Sequence, residues 1–199
     1  MANTNKVNGF RPVRYLNGAK YNGQFRKYII PASDGTALFV GDLVKLSTAG
    51  SDEGYTAVVQ AAAGDACIGA VVGFEVDPAN LNTPQYRTAS TKRVVYVADD
   101  PALVFEAQED GDTDPLETAD IGLNVNFVVA AGSTTTGASG MQIDSTSHAT
   151  TATLPLRLLG LAQRPDNENV LSAGGQAYTR WEVKINNHQL GSSTGVAGV

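Results

Sequence analysis

The feature that most constrains the fold of this chain is its wealth of β-branched and turn-forming residues. Valine occurs 20 times and threonine 18 times in 199 residues, whereas glutamate occurs 7 times and lysine 6 times. β-branched side chains pack well on a pleated sheet, and Glu and Lys normally fill the exposed faces of helices. The 21 glycines and 13 asparagines supply the positive-φ positions of tight turns. This composition predicts many short strands joined by turns, with little helix.

Apolar stretches separated by turn residues divide the chain into two groups of strands. We therefore predict an all-β fold of two small packed modules, each barrel-like or sandwich-like. The first module spans residues 25–90, including a connecting loop, and the second spans residues 91–190. Residues 1–24 are expected to form an extended N-terminal arm, and residues 191–199 a flexible tail. No repeat of fixed period is visible.

The clearest strand pattern in the second module is the alternation over Arg180–Ile185. Successive side chains of a strand point to opposite faces of the sheet. Trp181, Val183 and Ile185 therefore share one face, and we predict that this face is turned to the core.

Charge is distributed unevenly along the sequence. No Asp or Glu precedes Asp34, and the first 33 residues contain six cations, whereas the chain as a whole has a net charge of −6. Such asymmetry indicates that the basic arm contacts an acidic surface. The anionic remainder disfavours broad contact with the phosphates of nucleic acid. Alternatively, the six cations simply solvate a flexible segment.

The sequence contains no recognised catalytic or cofactor motif. It lacks G-x-S-x-G, the P-loop pattern and H-E-x-x-H. One cysteine, Cys67, and two histidines, His148 and His188, disfavour a multi-ligand zinc site. Residues Asp110–Asp114 alternate aspartates as calcium loops do, but Pro115 and Ile121 stand where an EF-hand needs glycine and glutamate. We therefore predict a non-enzymatic protein without a metal or cofactor.

Neither a secretory signal nor a membrane span is expected. The first six residues are polar, and no apolar run approaches the roughly 18 residues of a membrane span. The interpretation is a protein made in the cytoplasm that does not bind a membrane.

Two stretches of the sequence resemble the capsid decoration, or cement, proteins of tailed bacteriophages. The first combines Leu38–Leu46, which contains Gly-Asp-Leu-Val, with Ile68–Phe74, which has the pattern I-G-x-V-x-G. The second runs from Ala149 to Arg157 and on through Val183–Asn186. The likeness spans most of residues 28–188 and rests on β-strand patterns.

The resemblance implies a structural role on the outside of a phage head. Such proteins bridge neighbouring major capsid subunits and help the shell to resist the pressure of packaged DNA. The expected partners are the major capsid protein and neighbouring copies of this chain, and the expected location is the exterior of the virion capsid. From the basic arm and its apolar neighbours we predict these partner-binding residues: Lys6, Phe10, Arg11, Arg14, Tyr15, Lys20, Arg26 and Lys27.

Two other functions remain open at this point. A receptor-binding or tail-associated β module would use the Ser/Thr/Gly loop at residues 132–140 for recognition. A β-rich enzyme could build its site from residues that are distant in sequence.

Overall fold

The computed structural model describes residues 3–168, 176–192 and 194–199 and confirms the all-β fold. A short 3-10 turn at Thr118–Asp120 accompanies the strands. The described residues form eleven strands: β1 (Arg11–Tyr15), β2 (Arg26–Ile30), β3 (Leu43–Asp52), β4 (Tyr55–Gln60), β5 (Gly69–Phe74), β6 (Arg93–Ala98), β7 (Leu103–Gln108), β8 (Asn124–Val128), β9 (Gln142–Ala149), β10 (Leu156–Leu161) and β11 (Arg180–Ile185).

The strands form a closed barrel and a separate six-stranded sheet. The barrel has the order β2-β4-β3-β5-β6, and the sheet has the order β1-β7-β11-β10-β8-β9. Strand β6 thus belongs to the first unit, although residues 91–190 were assigned to the second module. The boundary lies between Ala98 and Leu103, because β6 closes the barrel by pairing with both β2 and β5.

The two units share one pairing scheme, so the fold repeats one five-stranded topology twice along the chain. In the barrel, β2 pairs with β6, β3 pairs with β4 and β5, and β5 pairs with β6. In the second unit, β7 pairs with β11, β8 pairs with β9 and β10, and β10 pairs with β11, so β7–β11 correspond in order to β2–β6. The first and third strands also meet in parallel, through Ile29 and Ala57 in the barrel and through Glu109 and Ile143 in the sheet. The sheet therefore curls back on itself as a second barrel-like unit.

A bulge at a glycine marks the same point in both units. The β5–β6 register shifts between Val71 and Gly73, and the β10–β11 register shifts between Leu158 and Gly160. A bulge bends its strand and increases its twist, which helps a sheet to curl into a barrel. The repeat escapes sequence inspection because the equivalent strands share pairing and position rather than residue identity.

The N-terminal segment is built into the second unit. Strand β1 pairs antiparallel with β7, and the side chain of Phe10 is 1% exposed. The prediction that residues 1–24 lie outside both modules is therefore wrong for Phe10–Tyr15. The physical reason is that β1 covers the edge of β7 while Phe10 enters the core.

The C-terminal residues 194–199 are likewise bound to the sheet. The backbone N–H of Val196 donates to Asn186 Oδ1 at 3.0 Å, and that of Gly198 donates to the Thr150 carbonyl at 2.9 Å. The side-chain amide of Asn124 donates to the Val196 carbonyl at 2.8 Å. The prediction of a flexible tail is wrong for these residues, because buried asparagines anchor their backbone.

One hydrophobic core joins the two units. Leu43, Cys67 and Ala98 of the barrel belong to the same buried cluster as Phe127 and Trp181 of the sheet. A second cluster fills the barrel interior. Because apolar side chains from both units exclude water together, the barrel and the sheet are packed as one body.

The core assignment for β11 is confirmed. Trp181 and Val183 are fully buried, and Ile185 is 4% exposed. The alternation of apolar and polar residues predicts the buried face correctly because β11 lies between β7 and β10 in a sheet that has one face in the core.

A buried carboxyl group occupies the second unit where the barrel has an isoleucine. Superposing the two bulges makes Trp181 the counterpart of Val95, so that their partners Ala107 and Tyr28 correspond. Two residues further along the strand, Glu109 then corresponds to Ile30. The Glu109 side chain is fully buried, its Oε2 accepts the Leu116 N–H at 3.0 Å, and its Oε1 has no hydrogen-bond partner in the described structure. Burial raises the pKa of Glu109 from 4.5 to about 7.

We expect Trp181→Ala to lower the free energy of unfolding by about 3–5 kcal/mol, because it leaves a cavity at the centre of the shared core. Chemical denaturation of the variant and the wild type measures the difference. A variant with an unchanged midpoint would contradict the placement of Trp181.

Glu109→Gln should change the pH dependence of stability. Because the folded state binds the Glu109 proton more tightly than the unfolded state, wild-type stability falls as pH rises from 4.5 to about 7 and then levels off. The full loss is about 3 kcal/mol. The Gln variant should lack this loss, so denaturation at pH 5 and pH 8 would show a smaller difference than in wild type. Identical profiles of stability against pH for the variant and the wild type would contradict the raised pKa of Glu109.

Candidate functional site

Four of the predicted partner-binding cations lie along the outer side of the six-stranded sheet. Arg11 and Arg14 belong to β1, where Arg11 is opposite Glu106 and Arg14 is opposite Val104. The backbone of Lys6 crosses this side, since its N–H donates to Gln108 Oε1 and its carbonyl accepts from Arg180 Nη2, both at 3.0 Å. Lys20 lies beside Arg14 through an isolated bridge.

Strands from the C-terminal half bring further cations to the same side. Arg157 of β10 is opposite Lys184 of β11, Lys184 is opposite Val104 of β7, and Val104 is opposite Arg14. This cross-strand row has three cations and no carboxylate. We use the name basic face for the following set: Lys6, Arg11, Arg14, Lys20, Arg157, Arg164, Arg180 and Lys184.

Ion pairs neutralise only part of the basic face. Arg14 contacts Glu182 at 2.6 Å, and Arg164 contacts Glu106 at 2.7 Å. Lys184, like Lys6 and Lys20, has no carboxylate partner among the described residues.

The basic face differs in sign from the rest of the molecule. Its eight cations lie with four carboxylates, from Glu106, Asp166, Glu168 and Glu182, so the set has a charge of +4. The remaining six cations and sixteen carboxylates carry −10. Such a face attracts an acidic partner surface.

Sequence reasoning missed Arg157, Arg164, Arg180 and Lys184. The alternation in β11 already places Arg180 and Lys184 on the side opposite Trp181. However, joining them to Arg11 and Arg14 requires the pairing of β1, β7 and β11, which spans more than 160 residues of sequence.

Phe10 is not available to a partner. Its ring meets that of Phe127 edge-on at 6.3 Å between centroids, inside the shared core. The chain reaches this position through Gly9, whose φ of +64° and approach to the Gly41 carbonyl leave no room for a Cβ atom. Naming Phe10 as a partner contact was therefore wrong, because its aromatic surface is already buried.

Tyr15, Arg26 and Lys27 lie off the basic face. Tyr15 is half-buried against the core, and its hydroxyl donates to Gln24 Oε1 at 3.0 Å. Arg26 lies 3.5 Å from Asp99, and Lys27 pairs with Glu75 at 2.5 Å, both on the barrel. The structure thus does not bring these three residues together with Lys6, Arg11, Arg14 and Lys20.

A cleft borders the basic face where β1 meets β5 of the barrel. Its volume is about 370 Å³. We call it the β1–β5 cleft. Its walls include the apolar or aromatic residues Pro12, Val13, Tyr21 and Val72 and the charged residues Arg11, Glu106 and Arg164. The Arg11 guanidinium donates to Asn8 Oδ1 and has no carboxylate partner among the described residues. Burial and then the charge of Arg180 lower the pKa of Arg11, whereas the nearby carboxylate of Glu106 acts in the opposite direction.

The cysteine, histidine and aspartate considered as reactive or metal-binding residues are buried or hydrogen-bonded within the fold. Burial raises the pKa of the Cys67 thiol to about 12, and burial lowers the pKa of His188. Asp110, in the stretch that resembles a calcium loop, accepts hydrogen bonds from the N–H and hydroxyl of Ser145. The described ranges contain no group of three or more His, Cys, Asp or Glu side chains arranged to hold a metal ion.

The recognition loop considered above forms a compact turn. The Ser133 hydroxyl accepts the N–H of Thr136, and the Thr136 hydroxyl accepts the N–H of Ala138. Thr134 and Thr135 remain exposed.

Comparison with known proteins identifies no relative: no family model, no curated protein and no solved structure matches this chain. Within the part of the chain that the structure describes, no helix has the length and apolar character to cross a membrane.

We expect Phe10→Ala to lower the free energy of unfolding by about 3–5 kcal/mol, because Phe10 fills the shared core. The matched control is Lys20→Ala in the same segment, which should change stability by less than about 0.5 kcal/mol because Lys20 is exposed. Thermal or chemical denaturation compares them. Equal stability of both variants would contradict the integration of the N-terminal segment.

Proposed function

We propose that this chain is a structural protein of a tailed-phage particle. It binds the outer surface of the capsid through the basic face and bridges neighbouring major capsid subunits. The observation that carries the proposal is the separation of charge, in which a +4 face stands on a molecule whose remainder is −10. The resemblance of residues 28–188 to decoration proteins supports the same function.

The rigidity of the molecule suits a bridging role. The shared core fixes the barrel and the sheet relative to one another, so a load applied to one unit is transmitted to the other. Strand β1 adds to this by pairing with β7 while lining a cleft with β5.

The energy of each contact needs only to be small. Exposed ion pairs contribute about 0–1 kcal/mol each, and salt screens them over roughly 8–10 Å. Many copies on one lattice act together, so modest interfaces give high occupancy. Binding should therefore depend on salt, and no single substitution should abolish it.

The six lysines of the chain provide a matched test. Lys6, Lys20 and Lys184 lie on the basic face, whereas Lys27, Lys45 and Lys92 lie on the barrel. Both triple Lys→Gln variants lose the same charge. The measurement is occupancy on phage heads that lack the protein, at low and high salt. The basic-face variant should bind about tenfold more weakly at low salt and show a smaller salt dependence.

The barrel variant is the control and should bind like wild type. Equal loss in both variants would show that net charge alone matters and would overturn the basic face as the binding surface. Wild type that binds tails or host cells but not heads would instead favour the receptor-binding or tail-associated module.

A further inference from the structure

Three Asn-Gly dipeptides lie close together in the N-terminal segment. Their asparagines are Asn8, Asn17 and Asn22. In such a dipeptide the backbone nitrogen of the glycine can attack the side-chain carbonyl carbon of the asparagine, because glycine has no Cβ atom to block the approach. The sequence alone does not distinguish the three dipeptides, whereas the structure gives each of them a different environment.

The reaction that follows this attack consumes only water. The glycine N–H loses its proton, the nitrogen forms a bond to the asparagine Cγ, and the side-chain amide leaves as ammonia. Water then opens the resulting succinimide ring at either carbonyl, which gives aspartate or isoaspartate. The net change replaces an amide by a carboxylate, so each event makes the protein more negative by one charge.

The dipeptide at Asn8 is packed into the fold. Asn8 Oδ1 accepts a hydrogen bond from the Arg11 guanidinium. Gly9 is buried, and a Cβ atom on it would overlap the Gly41 carbonyl. The next N–H, of Phe10, donates to that same carbonyl at 2.9 Å. Packing therefore blocks the backbone rotation that would bring the Gly9 nitrogen to the Asn8 side chain.

The dipeptide at Asn17 is exposed but is held in a hydrogen-bonded turn. The N–H of Gly18 donates to the Tyr15 carbonyl at 2.9 Å, and Asn17 Oδ1 accepts the N–H of Ala19 at 3.0 Å. The first bond holds the proton that the reaction must remove, and the second fixes the side-chain amide. Because both bonds must open before the attack, the folded state protects Asn17.

The dipeptide at Asn22 has neither restraint. Asn22 and Gly23 are exposed, and neither makes a hydrogen bond with another described residue. Apart from the chain neighbours of Gly23, no heavy atom of the described residues lies within 4 Å of where its Cβ atom would be. The side chain of Asn22 and the backbone of Gly23 therefore have room to reach the geometry of attack without unfolding.

The surrounding fold does not depend on the atoms that react. The Tyr21 N–H donates to the Val13 carbonyl at 3.1 Å, and the Tyr21 hydroxyl donates to the Gln24 carbonyl at 2.8 Å. These two bonds hold the chain on both sides of the dipeptide, and neither uses an atom of Asn22 or Gly23. The molecule can therefore carry the modification and remain folded.

We propose that Asn22 is a site of spontaneous deamidation in the folded protein, whereas Asn8 and Asn17 are protected. The product has aspartate or isoaspartate two residues after Lys20 of the basic face. Because the modified molecule stays folded, it accumulates with time as a form that is more acidic by one charge.

Tryptic peptide mapping after incubation at mildly alkaline pH tests the proposal. Trypsin places the three asparagines in separate peptides, which span residues 7–14, 15–20 and 21–26. In the folded protein, peptide 21–26 should convert at least about tenfold faster than the other two. Mass spectrometry detects the conversion to acid, and labelling by an isoaspartyl methyltransferase detects isoaspartate. In denaturant all three peptides should convert at similar rates, and that sample sets the incubation time.

Two matched variants separate this site from the rest of the segment. Asn22→Gln should lack the fast conversion, because the longer side chain must close a six-membered ring instead of a five-membered one. Asn17→Gln is the control, since Asn17 is also exposed and is followed by glycine, and it should leave the conversion of peptide 21–26 unchanged. The conversion should accelerate as pH rises, because the attacking nitrogen must lose its proton.

Three outcomes would overturn the proposal. The first is a folded protein in which peptide 21–26 converts no faster than peptide 15–20. The second is an Asn22→Gln variant whose acidic form, followed by isoelectric focusing, accumulates as in wild type. The third is a converted protein that melts well below the fresh one. These measurements use the free protein, so their result is separate from binding to heads.

Discussion

The pairing of β1 with β7 is the interaction on which the rest of this structure depends. It draws the N-terminal segment onto a sheet whose other strands come from residues 103–185, and it places Phe10 in the core shared with the barrel. The same pairing aligns Arg11 and Arg14 with the outward residues of β7 and β11. One set of backbone hydrogen bonds thus holds Phe10 in the core that the two units share, protects a sheet edge and assembles a surface charge.

Comparison of the two units shows where the second unit leaves room for this additional strand. In the barrel, β2 lies between β6 and β4, and the barrel closes. In the second unit, the contact between the first and third strands is confined to an isolated bridge at Glu109 and Ile143. The start of β7 is therefore not covered by β9, and β1 pairs there with Leu103–Glu106. The two units therefore differ at the position where β1 pairs with the second one.

Local patterns allowed the all-β class and the inward face of β11 to be predicted, because strand alternation and turn residues act over a few positions. The unit boundary, the anchored C-terminus and the basic face could not be predicted, since each depends on pairings between distant residues. Arg157 and Lys184 illustrate this: they are 27 positions apart in sequence and opposite each other in the sheet. Burial of Phe10 was missed because the polar residues around it indicated an exposed segment.

The arrangement of charge also gives the molecule two surfaces of different chemistry. In the row of Arg157, Lys184 and Arg14, the Arg14 guanidinium pairs with Glu182 and the Arg157 guanidinium donates to the Ala197 carbonyl, whereas Lys184 has no carboxylate partner among the described residues. Contacts made by such exposed charges are sensitive to salt. The walls of the β1–β5 cleft are largely apolar, so a contact there would depend on burial and be less sensitive to salt. The two surfaces meet at Arg11 and Arg164, which belong to both, so a substitution of either arginine would change both surfaces together.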